Sequence, residues 1–418
     1  MDILRITTAG SVDDGKSTLI GRLLYDTRSV TKDKLEAIEN TSKRKGLDFV
    51  DLSLLTDGLI AEREQGITID VAHIYFSTPN RKYIIADSPG HVEYTRNMIT
   101  GASNASVSII LIDARHGVVE QTRRHFYIAC LMRIPNVVVC VNKMDLVNFD
   151  EEIFSKIKSD FDAIINKIGF DAQVVKFIPI AARDGDNVVF SSLNMDWYKG
   201  ETLLEFLENT PNVKQVASAS TRFPVQYVIR PHKTEYHDFR GYAGKIASGD
   251  LKVGDEITVL PSLKSSVIQS IRSYDQEKNN AHEKESVVLT LKDNIDISRG
   301  DMIVRQGECF SQLSKFNAII CWLDENAMMP GKHYLLQHGT NRVKAKITTI
   351  NSIIYITTLE TSDNKSAFSL NDIGEISIQT ARPIFADAYQ KNQSNGSFIL
   401  IDEGTNGTVG VGFVQSSG

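Results

Sequence analysis

The chain has 418 residues, with 46 Lys plus Arg against 52 Asp plus Glu and a formal net charge of −6. It is too long for one ordinary core, and it offers no global field for nucleic acid or an anionic membrane. Its four cysteines, Cys130, Cys140, Cys309 and Cys321, lack C-x-x-C spacing, and neither an apolar leader nor a run of about eighteen apolar residues occurs. The expectation is therefore a cytoplasmic chain of two or three domains, with no zinc site and no membrane span.

The first predicted strand, "DILRITTAG", runs into "GSVDDGKSTL", whose G-x-x-x-x-G-K-S spacing makes a phosphate cradle. After it, "KSTLIGRLLYD" carries Leu19, Ile20, Leu23 and Leu24 at helical spacing. Strand, glycine loop and helix are the context the motif requires. Gly10 and Gly15 permit dihedrals that turn successive backbone N–H groups toward phosphate oxygens. The loop Gly10, Ser11, Val12, Asp13, Asp14 and Gly15, with Lys16, Ser17 and Thr18, is thus a nucleotide site. Lys16 would reach the β- and γ-phosphates and Ser17 would ligate magnesium.

Next, "EREQGITID" places Thr68 in a loop of the kind that closes on magnesium and the γ-phosphate only when a triphosphate is bound. "YIIADSPGH" ends a strand with Asp87, which would hold magnesium through water, followed by Gly90, whose N–H would sense the γ-phosphate. His91 would orient the attacking water. Lys16, Thr68, Gly90 and His91 form the expected catalytic set, and Ser17, Thr68 and Asp87 the metal set.

Further strands, "SVSIILIDA" and "NVVVCVNK", lead to Asn142, Lys143 and Asp145. The Asp145 carboxylate can accept from guanine N1–H and its exocyclic amine, while the Lys143 stem packs over the ring. Adenine offers neither donor on that edge, and a desolvated carboxylate left unpaired costs on the order of several kcal/mol. "EEIFSKIKSDFDAIINKIG" predicts a helix with Ile153, Ile157, Phe161, Ile164, Ile165 and Ile168 on one face and Gly169 as C-cap. In "PIAARDGDN", Ala181, Ala182 and Arg183 line the base, and the Ala182 N–H would donate to guanine O6.

"VKQVASASTR" reads as a linker, and the helical period then disappears. "RFPVQYVIRP" alternates Phe223, Val225, Tyr227 and Ile229, and "GYAGKIASGDLKVGDEITVL" predicts a hairpin turning at Gly249. A second break near "GECFSQLSK" precedes further short strands. The expected fold is an α/β P-loop domain with a mostly parallel sheet at 1–212, then antiparallel β-barrels at 221–312 and 315–418. "SKRKG" and "TRRH" read as solvated helix faces, and His232 and His237 as a solvated loop.

With these residues placed, the first half resembles the translational GTPases, whose loop reads G-H-V-D-H-G-K-[ST] and whose switches contain R-G-I-T-I and D-x-P-G-H. "DSPGH" and "NMITGA" are similar to elongation factor Tu, and two following barrels complete an elongation-factor-like architecture. Asp14, however, stands where that factor has histidine. "LLTDGLIAEREQGITID", "DFRGYAGKIASG", "IDISRGD" and "YQKNQSNGSFILID" resemble the GTPase (large) subunit of bacterial sulfate adenylyltransferase along essentially the whole chain.

That resemblance implies a hetero-oligomer. A small catalytic subunit makes adenosine 5′-phosphosulfate and pyrophosphate from ATP and sulfate, and this chain hydrolyses GTP, with magnesium, to drive that uphill reaction. No nucleic acid or membrane partner is implied. It repeats the roles above for the phosphate, guanine and switch residues, and adds Val12 and Ile67 as apolar gates and a monovalent cation near Asp13. The family's Ser-Ala at the fifth guanine motif is Ala181-Ala182 here. A second reading, a translation elongation factor delivering aminoacyl-tRNA on the same scaffold, is disfavoured by Asp14 and the quoted stretches.

Overall fold

Continuous apolar runs become strands buried on both faces, as a parallel sheet under helices requires. The computed structural model describes residues 2–44, 46, 50–55, 72–88, 95–169, 174–211, 220–230, 239–274, 276–363 and 366–415. The chain divides into two compact units, Met1–Val213 with Ile356–Leu359, and Lys214–Tyr355 with Glu360–Gly418.

In the first unit the strands are β1 (Ile3–Ala9), β2 (Ala72–Ser77), β3 (Lys82–Asp87), β4 (Val107–Asp113), β5 (Asn136–Asn142) and β6 (Val174–Pro179). They form one sheet in the order β2-β3-β1-β4-β5-β6. Only β2 runs antiparallel to its neighbour; the other pairings are parallel. Every residue of β4 and β5 is buried. The helices are α1 (Lys16–Asp26), α2 (Lys32–Arg44), α3 (Thr95–Ala102), α4 (Glu120–Leu131), α5 (Glu151–Ile168) and α6 (Leu203–Asn209). Leu19 and Leu23 of α1 join Ile6, Ile109, Val138 and Ile178 of the sheet in one core cluster. Burying each such side chain contributes about 2 kcal/mol relative to exposure. None of the described helices is long and apolar enough to cross a membrane.

α5 begins at Asp150, whose side chain accepts from the Glu152 N–H at 2.7 Å, and ends at Gly169 with φ 68°. Its buried face is Phe154, Ile157, Phe161 and Ile164, so Phe154 takes a place the sequence pattern gave to Ile153. Phe154 packs against Trp197 with ring centroids 5.4 Å apart and planes tilted at 43°, and the Trp197 indole N–H donates to the Phe149 carbonyl, so an aromatic partner covers this part of the face. The run "TRRH" also differs from expectation. Thr122 and His125 of α4 are buried at 1% and 3% exposure, so this is a packed helix face rather than a solvated one.

In the second unit, leaving aside two- and three-residue pairings, the first barrel contains six strands. They are β7 (Phe223–Ile229), β8 (Gly241–Lys245), β9 (Glu256–Leu260), β10 (Lys264–Ser273), β11 (Ser286–Leu291) and β12 (Met302–Arg305). Their order is β9-β12-β7-β8-β11-β10, and β10 closes on β9. The second barrel has β13 (Leu313–Trp322), β14 (His333–His338), β15 (Asn341–Tyr355), β16 (Ile373–Ile384), β17 (Ser397–Ile401) and β18 (Thr408–Val414). Here the order is β14-β17-β18-β13-β16-β15, closed by β14 with β15.

Two expectations change on closure. Gly249 sits at a turn with φ 69°, but β8 and β9 do not pair; β8 has both edges occupied, by β7 and β11. Along β7 the alternation holds through Phe223 and Val225 and then slips at a bulge between Val225 and Tyr227. Tyr227 consequently faces solvent at 65% exposure, while Val228 packs on the core. Between the barrels, Arg222 is 2% exposed and forks onto Asp387, Nε to Oδ2 at 3.0 Å and Nη2 to Oδ1 at 2.9 Å. It also donates to the Cys309 and Thr221 carbonyls. Asn392 and Asn395 donate to the same Asp387 Oδ2 at 3.0 and 2.9 Å.

Candidate nucleotide site

Parallel strands leave their C-terminal ends open, and in such sheets ligands bind there. The C-terminal ends of β1, β3, β4 and β5, and the loop after β6, carry Gly10, Asp87, Asp113, Asn142 and Ala181–Arg183 in turn. Strand register places Thr8 beside Asp87 and Asp113 beside Asn142. The Thr8 hydroxyl donates to Asp87 Oδ1 at 2.8 Å, which fixes a carboxylate that is 2% exposed.

The loop between β1 and α1 is shaped by Asp13 and Gly15 at φ 69° and 92°. A Cβ on Gly15 would lie 2.5 Å from Asn142 Nδ2, so both backbone and space demand glycine. Gly15 caps α1 without a side-chain bond, which leaves the N–H groups of the first turn for an anion. Asp14 closes the loop from inside: its N–H donates to the Ser11 carbonyl at 3.2 Å and its Oδ2 accepts the Ser11 N–H at 2.6 Å. Burial pushes the Asp14 pKa up, against the Ser11 hydrogen bond and the Lys16 charge.

Lys16 is 9% exposed, and its ammonium donates to the Gly10 and Ser11 carbonyls at 2.7 and 3.3 Å. Burial pushes its pKa down, while Asp87, Asp14 and Asp13 pull it back. A desolvated ammonium held by neutral carbonyls is poised to exchange them for an anion.

Asn142 ties two loops together. Its Nδ2 donates to the Asp14 carbonyl at 2.7 Å, and its Oδ1 accepts the Ala182 N–H at 3.0 Å. The donor that the sequence reading offered to guanine O6 is thus engaged by Asn142, because a buried N–H needs a partner. Ala181, fully buried, donates instead to the Asp186 carbonyl at 3.2 Å. Lys143, in the left-handed region at φ 63°, bonds the Asp13 carbonyl and pairs with Asp113 at 3.0 Å. Asp145 is half-buried and faces Arg183 at 3.4 Å. Arg22 of α1 holds the carbonyls of Ala182 and Arg183.

Ser17 is half-buried at the start of α1, and the exposed Val12 and Asp13 form the loop tip. A hydroxyl on the first helical turn and a clamped carboxylate at a strand end are the oxygen donors magnesium uses, so Ser17 and Asp87 fit that ion. Among the described residues no group of three or more His, Cys, Asp or Glu side chains is arranged to hold a metal. Thr68, Gly90 and His91 lie outside the described residues, as do Ile67, His232 and His237.

Arg22 and Asp113 were missed from sequence, because neither falls in a motif and both act across the fold. So was His125, fully buried on α4, with Nδ1 unbonded among the described residues. Burial and the nearby Lys16 and Arg124 push its pKa down to about 3, so it is neutral.

The family model for the elongation factor Tu GTP binding domain matches residues 1–214, and the model described as GTP-eEF1A C-terminal domain-like matches 315–415. "Sulfate adenylyltransferase subunit 1" of Cellvibrio japonicus is 49% identical over 415 residues, covering 99% of this chain and 86% of the relative. The chain belongs to the sulfate adenylyltransferase subunit 1 family. The member from Bacteroides fragilis is 48% identical over 415 residues, again with 99% and 86% coverage. A further relative, "Bifunctional enzyme CysN/CysC" of Mycobacterium tuberculosis, is 49% identical over 413 residues, with 99% of this chain and 67% of the relative covered. Similarity to this family therefore extends over the first barrel, which lies between the two matched domain models.

Proposed function

We propose that this chain is the GTP-hydrolysing regulatory subunit of a sulfate adenylyltransferase. It couples conversion of GTP and water to GDP and phosphate with formation of adenosine 5′-phosphosulfate and pyrophosphate from ATP and sulfate on a small catalytic subunit. The observation that carries this reading is the pair of hydrogen bonds made by Asn142, one donated to the phosphate loop and one accepted from the Ala182 loop, which brings three separate guanine-nucleotide motifs to the C-terminal end of one sheet. Coupling is needed because the phosphosulfate anhydride is a higher-energy bond than the one broken in ATP.

In this reading, Gly10 through Thr18 wrap the phosphates, and Lys16 exchanges its loop carbonyls for phosphate oxygens. Asp145 leaves Arg183 to accept from guanine, and Ala182 shares its N–H between Asn142 and O6. Thr68, Gly90 and His91 act as γ-phosphate switch and water-orienting group. Ser17, Asp87 and Thr68 would hold magnesium, which supplies neutralisation of charge on the β- and γ-phosphates. Asp13, exposed at the loop tip, is the place for a monovalent cation. This reading, which needs ATP and GTP, assigns the chain to the cytoplasm.

Calorimetric titration of the chain with GTP and with ATP, in magnesium, tests the site. The expected result is saturable GTP binding at least about a hundredfold tighter than ATP. Equal uptake of the two would defeat the reading.

A further inference from the structure

We infer that Asp113 is a positioning residue for base recognition: it holds Lys143 stretched between the ends of β4 and β5 and the phosphate loop, so that the lysine stem forms a fixed floor for the base. The inference rests on the guanine-nucleotide reading.

Asp113 is the last residue of β4 and lies directly across from Asn142, the residue before Lys143. Its side chain is 2% exposed, and Oδ2 meets Lys143 Nζ at 3.0 Å. The same ammonium bonds the Asp13 carbonyl in the strained part of the loop. The lysine is therefore tethered at both ends, by its left-handed backbone after β5 and by its ammonium between two fixed acceptors. The remaining capacity of Asp113 is filled by Arg115: its N–H and Nε reach Oδ1 at 2.9 and 3.0 Å, and Nη2 reaches Oδ2 at 2.6 Å. Burial works to raise the Asp113 pKa, but the Arg115 and Lys143 bonds outweigh it and hold the carboxyl well below the usual range. The carboxylate is thus ionised at any working pH, and Lys143 always has its anchor.

A lysine stem has four rotatable bonds, and a ring packed on it gains only from the rotamers that lie flat. Without Asp113 the ammonium keeps one carbonyl and gains solvent, and the stem spreads over several rotamers. Affinity for any nucleotide with a base should fall, whereas affinity for a phosphate chain alone should not.

A double-mutant cycle tests this, reading GTP and GDP affinity, KM and kcat for GTP, and competition by inorganic tripolyphosphate, which has no base. Wild-type preference for GTP over ATP is measured first, so failure of the guanine reading is seen before any variant is compared. Asp113→Ala should weaken GTP and GDP about tenfold, mainly through faster release, and should raise KM more than it lowers kcat. Asp113→Asn, which keeps an acceptor for the ammonium, should recover part of the loss and serves if the alanine variant fails to fold. In a Lys143→Ala background, Asp113→Ala should add less than about twofold, and tripolyphosphate should compete within about twofold of its wild-type strength throughout. Losses that multiply in the double variant, or a tripolyphosphate loss equal to that of GTP, would overturn the inference and make Asp113 a brace of the loop alone.

Discussion

The two units bury polar hubs of opposite character. In the first, Asn142 is neutral and joins backbone groups of two loops by one donor and one acceptor. In the second, Arg222 is a charged fork locked onto Asp387 and two carbonyls between two barrels. A neutral amide can share or release one bond without stranding a charge, so it suits loops that must receive a ligand. A buried guanidinium cannot let go without stranding its own charge and leaving the Asp387 carboxylate with neutral donors alone, so it suits a fixed joint. The hub's chemistry separates the part of the molecule built to exchange partners from the part built to stay put.

Substitutions at and around these hubs test that contrast. The largest effect should follow Asp145→Asn, which replaces an acceptor for two guanine donors. GTP affinity should fall about a thousandfold, roughly 4 kcal/mol, with xanthosine nucleotides gaining, as read by calorimetry. Unchanged GTP affinity would remove Asp145 from the site. Arg222→Ala should lower unfolding free energy by about 3 kcal/mol in urea titration, with GTP affinity kept within about twofold. A parallel collapse of nucleotide binding would erase the distinction between the hubs. Asn142→Ala strands one buried N–H and one carbonyl, so stability should fall by about 2 kcal/mol and GTP affinity about thirtyfold. Here the two losses belong together, and loss of stability alone would make Asn142 a second static joint.

The smallest effect concerns the carboxylate inside the phosphate loop. The Asp14 pKa is raised in the fold above its ordinary 3.8, chiefly by burial. Protonation then favours the folded state: the contribution is complete below pH 3.8 and is lost as pH rises through the raised value. Asp14→Asn keeps an acceptor for the Ser11 N–H without the charge. It should match the wild type in acid, be more stable at neutral pH, and bind GTP about threefold tighter through removal of a like charge. A variant less stable than the wild type at pH 7 would show that the ionised carboxylate holds the loop.

The strand, glycine loop and helix of the phosphate cradle were legible in the sequence because they lie in one contiguous stretch. The parallel sheet was legible for a similar reason: β4 and β5 carry the continuous apolar runs 109–112 and 137–141, as burial on both faces requires. What escaped depends on register and closure. Asp113 meets Lys143 only because β4 and β5 end level with one another, and no spacing encodes that. The bulge after Val225 undoes the alternation of β7, and closure of the barrel separates β8 from β9. His125 sits in a basic run that polarity alone assigns to the surface, yet its helix is covered.

If GTP turnover on this chain drives sulfate activation on a partner subunit, the product yield must depend on GTP. The most direct measurement is the amount of adenosine 5′-phosphosulfate formed from ATP and sulfate by this chain with the small catalytic subunit, with and without GTP. With coupling, GTP raises the yield beyond the equilibrium reached with ATP alone, with phosphate released from GTP in step. Identical yields with and without GTP would contradict it.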